Sequence, residues 1–325
     1  MIELQHLGGA KTVTGSRHVV RTSQVTVLLD CGMFQGRRGE GFARNRDLGI
    51  EADAIDAVVL SHAHIDHSGA LPVLFRRGYR GPVYATPATR DLCAPMLDDA
   101  ASIQASDAAH LDRMIARGID VEAVQPLYDR DDVVGLLELM VGVPYHRPTL
   151  IAPGITLRLL DAGHVLGSAI VVLDIDDDGA RTRIAFTGDL GRDNLPILRT
   201  PEVPTGVHCL ISESTYGDRL HGPLTASIDR LADTISRTVA RGGKVIIPSF
   251  ALERAQEIVF ALKQLRTAGR IPKVPVYVDS PLTVKLTDVF RLHPECIDRT
   301  LLDGLRTGDS PFDFDGLRYV SDVEE

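Results

Sequence analysis

The sequence predicts an α/β protein of two domains, the first over 1–208 and the second over 209–325. Three observations carry that prediction. Short apolar runs of strand character alternate with helical patterns along most of the chain. The densest group of metal-binding side chains, Ser61-His-Ala-His-Ile-Asp-His-Ser-Gly69, lies between an apolar run and a helix pattern, at the carboxyl end of a strand where open α/β sheets place their chemistry. From about residue 209 strand and helix patterns alternate afresh, which argues a parallel α/β unit of its own.

Composition narrows the class. At 325 residues with 44% apolar content, the chain can bury a sizeable core. No stretch reaches the ~18 consecutive apolar residues of a membrane span. Met1-Ile-Glu-Leu-Gln-His6 has no basic region followed by an apolar core, so no signal peptide is expected. Cys31, Cys93, Cys209 and Cys296 are scattered, with no C-x-x-C pair, and a reducing cytoplasm is the expected location. A net charge of −9 argues against a non-specific nucleic-acid coat protein, yet a local basic cleft remains compatible with it.

In chain order, Ile2 to Leu7 and His18 to Arg21 read as strands around the small, polar loop Gly8 to Ser16. That loop either lines a substrate cleft with backbone N–H groups or serves as a hairpin connection. Val25 to Asp30 is an apolar strand ending on a carboxylate, placed to orient a ligand histidine. Gly36-Arg37-Arg38-Gly39 and Arg44-Asn45-Arg46 are basic and read equally as phosphate contacts or as a solvated loop. Ile55 to Leu60 is a buried strand, and Ala70 to Arg77 a helix closed by Gly78. Gly81 to Thr86 is a strand and Pro87 to Leu97 a helix. The helical, charged composition of 98–140 reads as an insertion on the scaffold. His110 and His146 read as ordinary surface or packing histidines.

Ile155 to Leu160 alternates like a strand and leads into Asp161-Ala-Gly-His164. Ser168 to Ile175, a turn at Asp176-Asp-Asp-Gly179 and Arg183 to Thr187 form a hairpin leading into Gly188-Asp189. His164 and Asp189 thus stand beside glycines at strand ends. With the H-x-H-x-D-H run they suffice for a two-metal site, whose ions lie ~3.5–4 Å apart. One metal takes His62, His64 and His164, the second takes Asp66 and His67, and Asp189 bridges. The first is a three-histidine site with an open position; the second is one protein ligand short.

Together, Asp30, His62-Ala-His64-Ile-Asp66-His67, Ala-Gly-His164-Val-Leu-Gly-Ser-Ala and Thr-Gly-Asp189-Leu-Gly-Arg192 resemble the metallo-β-lactamase superfamily. The resemblance implies an αβ/βα sandwich, two sheets with helices outside, and a dinuclear zinc site, with Asp30 as the carboxylate behind a ligand histidine. Lactamases, thioesterases, lactonases and nucleases share that fold, so fold alone leaves the substrate open.

The second half narrows it. Val207 to Ser212 ends in Glu213-Ser-Thr-Tyr-Gly-Asp-Arg219, and Ser227 to Arg241 is a helix. Lys244 to Pro248 is a strand, Phe250 opens a helix to about Thr267, Val274 to Asp279 is a strand, and Ser280 starts a helix to about His293. The words Glu-Ser-Thr-Tyr-Gly, Pro-Ser-Phe-Ala-Leu-Glu-Arg-Ala-Gln-Glu and Val-Asp-Ser-Pro-Leu resemble the β-CASP branch of nucleases, which includes RNase J and the endonuclease of mRNA 3′-end processing. The likeness is to its compact prokaryotic RNA-processing type and implies a Rossmann-like second domain. It gives catalytic roles to Asp66, Asp189 and Glu213, the last pairing with a histidine acid, and makes Ser214, Thr215 and Arg254 candidate phosphate contacts. The family continues past the end of this chain, with that histidine and the last metal ligand, so a C-terminal truncation at Asp322-Val-Glu-Glu325, a weaker second metal and reduced stability or activity are expected.

The expected function is zinc-dependent cleavage of RNA, endonucleolytic or 5′-exonucleolytic, through a metal-activated hydroxide, with DNA as a variant substrate, no membrane partner and a homodimer as the conceivable assembly. Two alternatives stand beside it: a small-molecule hydrolase of the thioesterase or lactonase kind, and a non-catalytic nucleic-acid-binding subunit.

Overall fold

The computed structural model describes residues 1–36, 38–193, 195–306 and 308–321. It divides into two compact units, Met1–Asp193 with Thr200–Glu213, and Asn194–Arg199 with Ser214–Glu325. Of the segments read from sequence, Arg37 and 322–325 lie outside the described residues.

The first unit opens with β1 (Glu3–Gly8), β2 (Arg17–Arg21) and β3 (Thr26–Leu29), an antiparallel meander. Helix α1 (Arg38–Arg46) follows, so the basic stretch, which reads equally as phosphate contacts or as a solvated loop, is helical from Arg38. Next come β4 (Ala57–Val59), the one-turn α2 (Ile65–Ser68), α3 (Leu71–Arg76), β5 (Val83–Ala85), α4 (Pro87–Ala116), α5 (Arg130–Glu138) and β6 (Met140–Gly142). These strands make one sheet in sequence order, with β3 to β6 parallel. Parallel strands are covered on both faces, which is why β3 and β4 read as unbroken apolar runs.

The segment 98–140, expected as a helical insertion, carries the second half of α4 and all of α5. Helix α4 runs unbroken through Leu97, because Leu92, Met96, Ala101, Ala108 and Leu111 keep one buried stripe at helical spacing. With α5 it forms the crossover from β5 to β6, so this segment belongs to the sheet's own winding. A three-residue strand such as β6 is too short for alternation to register in sequence.

The second sheet holds β7 (Thr149–Ala152), β8 (Ile155–Asp161), β9 (Ala169–Asp177), β10 (Ala180–Phe186) and β11 (Cys209–Ile211), in the order β11-β10-β9-β8-β7. Only β11 pairs in parallel, on β10. Val20, Val27, Leu29 and Val59 of the first sheet share one buried cluster with Leu157, Leu159, Val171, Leu173 and Phe186 of the second. Two sheets face each other across that core, and the α/β sandwich is the fold found. Strand β11, read from sequence as the start of the second domain, packs with the first unit, which extends to Glu213.

The second unit contains α6 (Leu224–Ala240), α7 (Arg254–Thr267), β12 (Val276–Asp279), α8 (Pro281–Leu292), α9 (Arg299–Arg306) and β13 (Leu317–Val320). Its core joins Ala232 and Ile235 to Leu262, Leu265 and Ile271. Ser280 caps α8, its Oγ accepting from Thr283 N–H at 3.2 Å. Strands β12 and β13 pair in parallel. The strand expected over Lys244 to Pro248 does not form: among the described residues no strand pairs with it, and Ile246 is 87% exposed. Helix α7 begins at Arg254 rather than Phe250, because Glu253 has a left-handed φ of 66°.

Candidate metal centre

The ligand-bearing loops leave the carboxyl ends of strands in both sheets. Asp30 N–H continues the β3–β4 ladder to Val59 O (3.0 Å), and Ala169 N–H donates to Ser61 O (2.9 Å), tying the histidine loop to β9. Helix α2 is clamped from behind: Cys31, Met33 and Ser16 N–H groups donate to the carbonyls of His67, Ile65 and Asp66 at 2.8–2.9 Å. Two glycines permit the close approaches. A Cβ on Gly32 would lie 1.6 Å from Asp66 O, and one on Gly191 1.7 Å from Gly163 O. The loop of Asp189 therefore lies directly on the loop of His164.

Around this scaffold the imidazoles converge. His62 Nε2 lies 3.1 Å from His64 Nδ1, which lies 3.3 Å from His164 Nε2. Asp189 Oδ2 is 3.5 Å from His164 Nε2 and 3.9 Å from His62 Nε2. Donors ~2.0–2.1 Å from one tetrahedral ion stand about 3.3–3.4 Å apart, so these four residues fit a divalent metal. The other oxygen of Asp189, Oδ1, lies 3.2 Å from His67 Nε2, which is 3.9 Å from Asp66 Oδ2. The six residues expected as ligands thus stand in one place, with the two oxygens of Asp189 turned toward different histidines.

Asp30 is fully buried and organises the site from beneath. Its Oδ2 receives His67 Nδ1 (2.6 Å), Ser61 Oγ (2.9 Å) and Ser16 Oγ (3.2 Å), and its Oδ1 receives Ser61 N–H (2.8 Å). With the Ser61 hydroxyl proton on Asp30, His62 Nδ1–H donates to Ser61 Oγ at 3.0 Å, which leaves the Nε2 lone pair facing the other histidines. Sequence reading passed over Ser61; its place beside the motif was the available signal. It also passed over Ser168, whose Oγ accepts from His164 N–H (3.0 Å) and Val165 N–H (3.2 Å) and shapes the loop.

The electrostatics suit cation binding. Burial, then the neighbouring imidazoles, push His62 well below the usual histidine range and His64 to about 3, so both are neutral donors at pH 7. Burial opposes charge on His67 too, but the Asp30 and Asp189 carboxylates outweigh it and raise its pKa well above the ordinary value. Burial alone would raise Asp189; the hydrogen bond and charge of His67 outweigh it and hold Asp189 at about 2. Burial raises Asp66.

Glu213 stands at this site through the loop of Asp189: its Oε1 accepts from Leu190 N–H at 3.0 Å. Ser214, Thr215 and Arg254 belong to the second unit. Ser214 and Thr215 are exposed, and Arg254 pairs with Glu257 at 2.7 Å on the first turn of α7.

Residues 14–249 match the family described as the metallo-beta-lactamase superfamily, and 255–325 match the Beta-Casp domain. A protein of Thermus thermophilus named Ribonuclease TTHA0252 is 36% identical over 319 residues, 98% of this chain and 67% of that protein. Proteins named Transcription termination factor FttA are 34% identical in Methanothermobacter thermautotrophicus and 33% in Methanocaldococcus jannaschii. The chain spans about half the length of these archaeal relatives, 49% in each case.

Proposed function

The chain belongs to the metallo-β-lactamase superfamily and carries its β-CASP domain, and on that premise we propose that it is the catalytic part of a zinc-dependent ribonuclease acting in the cytoplasm. The observation that carries the reading is the convergence of three histidine nitrogens on one Asp189 oxygen while the other oxygen faces His67. RNA is chosen as substrate because one relative is named a ribonuclease and others transcription termination factors. Cleavage is endonucleolytic or 5′-exonucleolytic.

In this reading His62, His64 and His164 would hold one ion and Asp66 and His67 a second, with Asp189 a ligand shared between them. When bound, the ions supply positive charge to the phosphoryl oxygens and acidify a water. The protein's own groups do the rest. Asp30 holds the Nδ1–H of His67, so that the proton a cation would displace is the one on Nε2, whose lone pair it then meets. Ser61 likewise holds the Nδ1–H of His62. Glu213, through Leu190 N–H, holds the Asp189 loop in register with the histidines. Hydrolysis adds water across one P–O ester bond, and the departing oxygen takes a proton.

The test is cleavage of end-labelled RNA and DNA by zinc-loaded protein, with His64→Ala as control. RNA fragments from the wild type, and a loss of at least about 100-fold in His64→Ala, are expected. Intact RNA alongside turnover of a thioester or lactone would refute the nuclease reading.

A further inference from the structure

A cavity of about 570 Å³ opens in the first unit between the Gly8–Ser16 loop and α1. None of the metal-binding residues lines it, and small-molecule sites span ~300–1,000 Å³. Its lining indicates what it would take.

The guanidinium carbon of Arg44 lies 4.3 Å from the centroid of the Phe34 ring, a stacked cation–π pair at the cavity wall. Phe34 is held rigidly there. Buried Asn45 accepts its N–H at 2.7 Å and donates to its carbonyl at 2.9 Å. The wall is also positively charged. Arg17 is 4% exposed and donates to the carbonyls of Gly32, Arg44 and Asp47 and to Asn45 Oδ1, at 3.0–3.3 Å. All of these acceptors are neutral, and among the described residues no carboxylate lies within ion-pair distance of it. Asp47, the one acidic residue at the cavity, turns its Oδ1 to Gly49 N–H. The Asp47 carboxylate acts on Arg17 from beyond ion-pair distance, so the buried guanidinium is only partly neutralised and projects part of its field into the adjoining space.

The opposite wall is the Gly8–Ser16 loop. Gly9, Lys11 and Gly15 have φ of 72°, 62° and 81°. Among the described residues no N–H from Gly9 to Gly15 donates to another protein group. Left-handed residues with unpaired N–H groups are the backbone pattern of anion-binding concavities. Cavity and metal centre share backbone. Ser16, after the loop, bonds to Asp66 O and Asp30, and Met33, before Phe34, bonds to Ile65 O.

We propose that this cavity seats one unpaired nucleotide flanking the scissile phosphate, its base stacked on the Phe34–Arg44 platform and its phosphate at the loop amides. The proposal rests on the nuclease reading. A base stacked in a duplex has no free face for such a platform, so the site selects single-stranded substrate.

The test is equilibrium binding of short single-stranded RNAs to the whole chain with a chelator present, 2-aminopurine being moved through the sequence. One position is expected to show stacking-dependent quenching. Phe34→Leu and Arg44→Gln are expected to abolish it and weaken binding about five- to fifty-fold. RNA abasic at that position should bind wild type and both variants equally, since the lost partner is then the same. Arg80→Gln, which removes the guanidinium stacked 4.0 Å over Phe75 away from the cavity, should leave binding unchanged. Should Phe34→Leu fail to fold, exposed Arg44 and the abasic RNA still complete the comparison. Unchanged binding by the variants, or equal losses on intact and abasic RNA, would overturn the subsite; if the wild type still cleaves RNA, the nuclease reading survives. A wild type that neither binds nor cleaves RNA overturns both.

Discussion

At the scale of single residues, Asp30 controls the most. It receives four hydrogen bonds, from His67, Ser16 and, twice, Ser61. Asp30→Asn must place an amide N–H against one of these donors. Metal affinity is expected to fall about 10- to 100-fold while far-UV circular dichroism stays unchanged; titration against a competing chelator reads it. Asp177 is one carboxylate whose contribution to stability is lost in acid. Hydrogen bonds from Ser23 and the Met1 ammonium hold its pKa at about 2, below the ordinary 3.8. A carboxylate with a depressed folded pKa contributes stability that is present above its unfolded value and lost as pH falls through the folded one. The gap in urea stability between wild type and Asp177→Asn should therefore be full above about pH 4 and close toward pH 2.

At the scale of elements, the site depends on loops that touch backbone to backbone. Gly191 is the clearest case, since its Cβ would sit 1.7 Å from Gly163 O. Gly191→Ala must push the Asp189 loop off the His164 loop, and metal stoichiometry by elemental analysis is expected to fall further than thermal stability does. Sequence reading placed these loops correctly because they follow long, patterned strands such as β8, whose burial alternates along its length. It missed β6, which is too short to alternate, and the true extent of α4, where the buried stripe thins beyond Leu97 to Ala101 and Ala108 before Leu111. It overreached at Lys244 to Pro248, where an apolar run has strand composition but no partner strand among the described residues.

At the scale of the molecule, all six ligand candidates lie in the first unit. They are not equally gathered. His62, His64, His164 and Asp189 place donor atoms within 4.8 Å of one another, whereas Asp66 Oδ2 and His67 Nε2 stand 3.9 Å apart, with Asp189 Oδ1 3.2 Å from His67 Nε2. Zinc titration of this chain should therefore resolve one tight equivalent and one weaker. Equal affinity at both would contradict the division of ligands.

The sequence by itself determined the two-layer α/β class and singled out the candidate donors. H-x-H-x-D-H after an apolar run is local chemistry in a local context, readable without coordinates. Tertiary structure alone decided which donors meet. His164 reaches His64 across 100 residues, and Asp30 reaches His67 across 37. Those approaches are set by packing of the two sheets and by glycine contacts that no spacing rule encodes. The same packing turned the Gly8–Ser16 loop and Phe34–Arg44 toward one cavity. In sequence they were only a small polar loop and a basic stretch, because a stacked pair and a buried guanidinium held by backbone carbonyls exist only once the backbone around them is fixed.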